Sequence, residues 1–447
     1  MVLRKTTCLK RLGGDRAGEE SIGRFFANPK VTAAKIIESW GQRTGPAAAG
    51  RHVLAIQDTT EVKFPTTAGR RRGLGPCGHG NAHGVLAHVM LAVDAESGAC
   101  LGLVDGAIWN RPGKVTVPLR HRPPCERESR RWVETAERAK AVLAPAAMIT
   151  MMGDRENDFY AMWARIPEPG VHLLIRVQQD RLLAPRADSA ADSAADSAAS
   201  GKLFAAAAAF PVAGTRTLAL PARRPDRAKR TAEVEIRFGT VEIARPVNEK
   251  DRTLPETVRL RLVEVQEINP PAGADPVHWR LLTTHEVNNE ADAWQIVSWY
   301  QVRWTIEQLF RVTKSQGLGL EESQMATAER LMKLTAAALK AACIDMQLVQ
   351  ERDGAHELPA THVFSKPEID TIEALSPVLE GRTERQRNPH PRRSLARASW
   401  VMARLGGWNC YYGPPGPIVM HRGMERFHAI HAGRLLGSNM ERDVRLD

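Results

Sequence analysis

Residues 52–64, HVLAIQDTTEVKF, are apolar until they end in acid and hydroxyl side chains, the pattern of a buried strand reaching a polar rim. GVLAHVMLAVD and GACLGLVDGAIW predict two further strands, joined by a tight turn at Glu96-Ser97-Gly98. Residues 125–143 show helical periodicity through Trp132, Val133, Ala136 and Val142. The continuous apolar run in AAMITMMGDREND predicts a buried central strand that stops at Asp154. DFYAMWARI predicts a helix and GVHLLIRVQQD another buried strand. Three strands, helix, strand, helix, strand make an α/β fold, a mixed sheet with helices on both faces.

The flanking segments follow other rules. SIGRFFANPKVTAAKIIESW predicts two short helices broken at Asn28-Pro29. ADSAADSAADSA (187–198) is a low-complexity insertion. After it, RTLALPARR, AEVEIRFGTVEIARP and TVRLRLVEVQEI alternate apolar and polar residues at period two, which predicts an antiparallel β subdomain inserted over about 181–285. Helical patterning resumes beyond about 330, and YYGPPGPIVM makes a rigid turn before a last helix. The expected division is a helical segment over 1–48, an α/β domain over 49–330 and a helical C-terminal region over 331–447.

One polar stripe interrupts an apolar helix. In SWYQVRWTIEQLFRVTKSQG, Tyr300, Arg303, Glu307 and Lys314 share an arc roughly 60° wide on a continuous helix. Trp299, Val302, Ile306, Leu309 and Phe310 fill the neighbouring arc and would pack inward. A carboxylate, two cations and a phenol on one rigid face could hold a metal ion and phosphates. An ordinary ion pair between Arg303 and Glu307, four residues apart, accounts for part of the same pattern.

A formal net charge of +11 and a pI near 9.6 point to a polyanionic partner. Nucleic acid fits better than a membrane, because no segment approaches the roughly 18 apolar residues of a span. Arg382, Arg385, Arg387, Arg392 and Arg393 crowd one segment against Glu384 alone. The first residues, MVLRKTTCLKRLGGDRAGEE, lack the apolar core of a signal peptide. Six scattered cysteines (8, 77, 100, 125, 343 and 410) without a CxxC pair suit free thiols in a reducing cytoplasm. Cys77, His79, His83 and His88 lie close in sequence, but their spacing matches no standard zinc finger.

Two acids stand out by position. Asp58 ends one strand and Asp154 follows another, so both are held at strand termini where they can converge. With Glu307 on a helix packed against that sheet, three carboxylates could bind two Mg²⁺ ions for in-line phosphoryl transfer. Asp58 before Thr59-Thr60 also suits a turn or cap.

QDTT, GDREND and the spacing Y-x₂-R-x₃-E-x₆-K together resemble the bacterial cut-and-paste transposases of the IS-four family, transposon-five type. RFFANPKV, ESRRW (128–132), HWRLLTT (278–284) and LARASWVMARLGGW extend the resemblance over about 20–440. It implies a ribonuclease-H-like fold with a β insertion between the second Asp and the Glu. Asp58, Asp154 and Glu307 would be the metal-binding DDE triad, served by two Mg²⁺ ions for which Mn²⁺ could substitute. Arg303, Lys314 and Arg311 would hold phosphates of the transposon end with Tyr300. Trp279 would stack on a base flipped out of that end, although a core Trp at a strand start fits equally. The implied reaction runs through strand nicking, hairpin formation, hairpin opening and strand transfer into target DNA. The implied assembly on double-stranded DNA is a homodimer through the C-terminal region, in the nucleoid-bearing cytoplasm and away from membranes. Only about 20 residues precede SIGRFF, where the family carries a longer helical region that grips the transposon end. That difference implies an alternative, an N-terminally truncated, non-catalytic inhibitor that still binds DNA and dimerises. A general ribonuclease-H-like nuclease would need neither the stripe nor the basic C-terminal segment.

Overall fold

The computed structural model describes all residues except 3, 5, 66–71, 79–81, 112, 114–127, 185–200, 221–229, 357, 412, 414 and 445–447. The ADSA repeat, Arg70, Arg71, His79 and Cys125 therefore lie outside the described residues.

Four short helices come first: α1 (Leu9–Gly13), α2 (Arg16–Ala27), α3 (Ala33–Glu38) and α4 (Gly41–Ala48). Asp15 caps α2 and Thr32 caps α3, each accepting a backbone N–H, and the chain leaves α2 at Asn28 as the Asn-Pro pair predicts. The strands follow as β1 (His52–Lys63), β2 (Gly75–Pro76), β3 (His83–Asp94) and β4 (Cys100–Trp109). Next are α5 (Arg130–Val142), β5 (Met148–Gly153), α6 (Tyr160–Arg165), β6 (Val171–Arg176) and α7 (Leu203–Ala209). β7 (Val212–Leu220), β8 (Arg230–Ala244), β9 (Thr257–Glu267) and β10 (His278–Thr283) precede a helical run. That run is α8 (Glu290–Val302), α9 (Trp304–Arg311), α10 (Ala328–Gln350), α11 (Lys366–Leu379), α12 (Leu395–Leu405) and α13 (Pro417–Val444).

All ten strands join one sheet in the order β2-β3-β1-β5-β6-β10-β9-β8-β7, and β4 also pairs with β3. β1, β5 and β6 are parallel neighbours, whereas β3 and β4 run antiparallel at one side. The period-two segments do form antiparallel strands, and they extend the central sheet: β10 pairs with β6, and β9, β8 and β7 follow outward.

Alternation along the strands divides the core into two layers. Leu54, Ile56, Met152 and Leu174 face α8, α9 and α10. Val53, Ala55, Met151 and Leu173 face α5, α6 and the C-terminal helices, where Trp400, Met424 and Phe427 are buried. Lys333 of α10, though only 1% exposed, donates to the carbonyls of Phe26 and Asn28 and pairs with Glu329. It thereby satisfies carbonyls at the end of α2 and pins the N-terminal helices to the sheet layer.

Candidate active site

β1 and β5 run parallel in the register Ile56↔Met152. The pairing ends there; Asp58 follows two residues on, inside β1 rather than at its end, since the strand continues to Lys63, and Asp154 stands just past the end of β5, close enough for its charge to act on Asp58. Asp58 is held by the Thr59 N–H at 2.7 Å. Behind the strand, Thr59 Oγ1 bonds His88 Nδ1 at 2.9 Å, and His88 Nε2 lies 3.3 Å from Gln57 Oε1. His88 is wholly buried against Trp132, and desolvation lowers its pKa to about 3, so it is a neutral brace.

The GDREND segment contains two aspartates with different environments. Asp158 is buried and spent: it pairs with Arg181 at 2.7 Å and accepts the backbone N–H groups of Gln178 and Gln179. Asp154 caps a 3₁₀ turn, Arg155–Asn157, through a bond from the Glu156 N–H at 2.9 Å. Its charge acts on Asp58 and Tyr300. Gly153 makes the turn possible, because a Cβ there would stand 2.5 Å from the Asn157 side chain.

Crowding marks the pair electrostatically. Burial first, and the neighbouring Asp154 charge second, push the Asp58 carboxyl up to about 7, against the opposing pull of Arg303 and the Thr59 N–H. Glu156 stands toward solvent; partial desolvation, with Asp154, Glu61 and Glu128, raises its carboxyl as well.

The stripe helix is not continuous. α8 ends at Val302, the Arg303 N–H bonds the Tyr300 carbonyl in a tighter turn, and α9 begins at Trp304. After Arg311 the chain widens into a π turn, Val312–Gln316, with Thr313 Oγ1 bonded back to the Leu309 carbonyl. Arg303 Nη2 donates to Glu307 Oε1 at 2.7 Å, the expected pair on one face. Arg303 Nη1 reaches Asp58 Oδ2 at 3.4 Å, which no helical periodicity announced. Tyr300 is buried beside Arg303 and Arg176, and its ring meets Trp279 edge-on at 5.8 Å. Trp279 is half-buried, packing against the core from β10. Arg311 is exposed at the end of α9.

The π turn sends Lys314 into a neighbouring cleft of about 690 Å³, which Thr59, Thr60, Trp109, Arg111 and Glu156 also line. Burial lowers the Lys314 pKa, partly offset by Glu321 and Glu61. On the far wall Glu128 accepts from Trp109 Nε1 and from two nitrogens of Arg111. Arg111 and Arg176 were not singled out by sequence patterning, and Glu128 and Glu156 entered only as parts of ESRRW and GDREND; the fold sets Arg111, Glu128 and Glu156 around one cleft and Arg176 beside Tyr300.

Asp58 and Asp154 are thus brought side by side, and Glu307 is joined to Asp58 through the guanidinium of Arg303. Among the described residues no group of three His, Cys, Asp or Glu side chains is placed to hold a metal ion. The donor chemistry nevertheless fits a divalent cation. Burial first, and the charge of Asp154 second, drive the Asp58 carboxyl up, and hard oxygens are what Mg²⁺ takes. Residues 135–344 match the family model of the transposase DDE domain. The match supports a DDE transposase family and implies DNA as substrate. It spans Asp154, the inserted strands, Glu307 and Lys314, and begins after Asp58. The mixed sheet with helices on both faces is consistent with the ribonuclease-H-like architecture of such enzymes. Among the described residues no helix is long and apolar enough to cross a membrane.

Proposed function

We propose that this chain is a cut-and-paste DNA transposase of the IS-four, transposon-five type. The observation that carries the proposal is the neighbouring pair Asp58, on β1, and Asp154, just past the adjacent parallel β5, with Glu307 tethered to Asp58 through Arg303. Asp58, Asp154 and Glu307 would hold two Mg²⁺ ions, which when bound supply activation of the attacking oxygen and stabilisation of the leaving one. The rest falls to the chain's own side chains. Arg303 supplies a planar fork for a phosphate, Lys314 a second cation from the cleft side, and Arg311 a third at the helix end. Tyr300 is fixed between Arg303 and Arg176, and with Trp279 it offers an aromatic wall for an unstacked base. A site of this kind serves nicking, hairpin formation, hairpin opening and strand transfer in turn, because each step is an in-line attack of an oxygen on phosphorus.

Pairing of two copies through the C-terminal region is part of the proposal. Ile418, Ile430, Leu435 and Leu436 are exposed along α13, and Val378 on α11, which supports that surface. The nucleoid-bearing cytoplasm is where such an enzyme would work. The experiment compares Asp58→Asn, Asp154→Asn and Glu307→Gln in cleaving a duplex that carries the element's inverted repeat. Each should lose cleavage and, measured in chelator, keep DNA affinity within about threefold, since the basic surface is untouched. Cleavage at the unsubstituted rate by the Asp154 variant would refute the assignment.

A further inference from the structure

Arg303 spends its charge on two carboxylates from different elements. Nη1 lies 3.4 Å from Asp58 Oδ2 and Nη2 lies 2.7 Å from Glu307 Oε1, while Nε is buried without a partner. Each carboxylate takes a single bond, and one of them is long. A guanidinium is a rigid fork that matches phosphate with two parallel N–H bonds. It is therefore held, but not satisfied, between the acids. Its backbone sits where α8 gives way to α9, and the Tyr300 and Trp304 rings lie 5.9 and 5.8 Å from it. The guanidinium lies between Asp58 and Glu307, bonded to one oxygen of each, so a divalent cation bridging the two carboxylates would compete with it for the same place and the same negative charge.

We propose that Arg303 is a positioning residue that keeps Asp58 and Glu307 occupied in the metal-free protein and releases them to divalent cations when a DNA phosphate takes its guanidinium. This rests on the metal-site assignment above. Its consequence is ordered assembly: metal is held weakly until DNA arrives, and by linkage each ligand tightens the other. Such an order protects against cleavage before the ends are in place.

The test is Mn²⁺ binding to the full chain, read from the free-ion electron paramagnetic resonance signal. Without DNA, Arg303→Gln should bind Mn²⁺ about tenfold more tightly than the unsubstituted protein, within the usual range of such couplings. Adding Asp154→Asn to that variant should remove the gain. Equal or weaker Mn²⁺ binding by Arg303→Gln would overturn the proposal. A second measurement needs no variant. A labelled duplex should bind the unsubstituted protein more tightly in Ca²⁺ than in chelator at matched ionic strength, and equal affinity overturns the coupling. Failure of every form to bind Mn²⁺, with DNA or without, would instead remove the metal site and the proposed function with it. Binding that is present but indifferent to Arg303 removes only the role given to Arg303.

Discussion

Asp58→Asn should stabilise the metal-free protein while destroying its chemistry. Burial and Asp154 raise the Asp58 carboxyl from 3.8 to about 7, and its side chain is only 14% exposed. The unfolded chain gives up this proton near 3.8 and the folded protein keeps it until about 7. Stability from this group therefore falls as pH rises through that window, and the loss is complete above it. At about 1.4 kcal/mol per unit, the raised carboxyl costs roughly 4 kcal/mol near pH 8 and under half of that near pH 5. Asparagine keeps the bond from the Thr59 N–H and avoids the charge, and the pull of Arg303 is already contained in the value of about 7. The gain is then roughly 4 kcal/mol near pH 8 and less than half as large at pH 5. Denaturant titration in chelator at both pH values measures it directly. A variant no more stable than the unsubstituted protein near pH 8, or one with the same gain at both, would refute the electrostatic reasoning.

Three further outcomes follow from other residues. Lys314→Ala should weaken binding to a cleaved duplex and reduce the salt slope by about one counterion, checked by titration over a salt series; an unchanged slope would leave Lys314 without a phosphate contact. Gly153→Ala should displace Asn157 and the turn that carries Asp154, abolishing cleavage while circular dichroism and DNA affinity change little; retained cleavage would show that the turn tolerates a methyl group. Burial holds His88 and His285 near 3 and His52 near 4, so the unfolded chain takes up their protons first as pH falls below 6.5. His88→Gln should accordingly flatten the acid limb of stability by up to about 1.4 kcal/mol per pH unit, and an unaltered limb in denaturant titrations would show that His88 is not held neutral.

What the sequence disclosed and what it withheld divide along physical lines. The strands β1, β3, β4, β5 and β6 were legible because period-two and continuous apolar runs leave few alternatives, and their order follows from where helices intervene. Asp154 was legible as the polar ending of such a run, whereas Asp58 does not end its strand: β1 continues to Lys63, and Asp58 sits inside it opposite Val89 of β3. The fate of Asp158 was not legible, since only the fold shows that Arg181 and two backbone N–H groups consume it. Periodicity also overstated the stripe. It assumes an unbroken helix, while the tight turn at Arg303 and the π turn after Arg311 re-aim Arg303 at Asp58 and Lys314 into the cleft. Continuation of the central sheet by β7–β10 was equally invisible, because alternation specifies a strand and not its neighbour.

The central claim is that the carboxylate of Asp154 itself touches a divalent ion during cleavage, and metal rescue tests this most directly. Asp154→Cys offers a thiolate, a soft ligand that Mg²⁺ binds poorly and Mn²⁺ accepts more readily. Cleavage of the inverted-repeat duplex by this variant should be lost in Mg²⁺ and partly restored in Mn²⁺, while Asp154→Ala stays inactive in both. Equal cleavage by Asp154→Cys in the two metals, or equal rescue of Asp154→Ala by Mn²⁺, would contradict direct ligation.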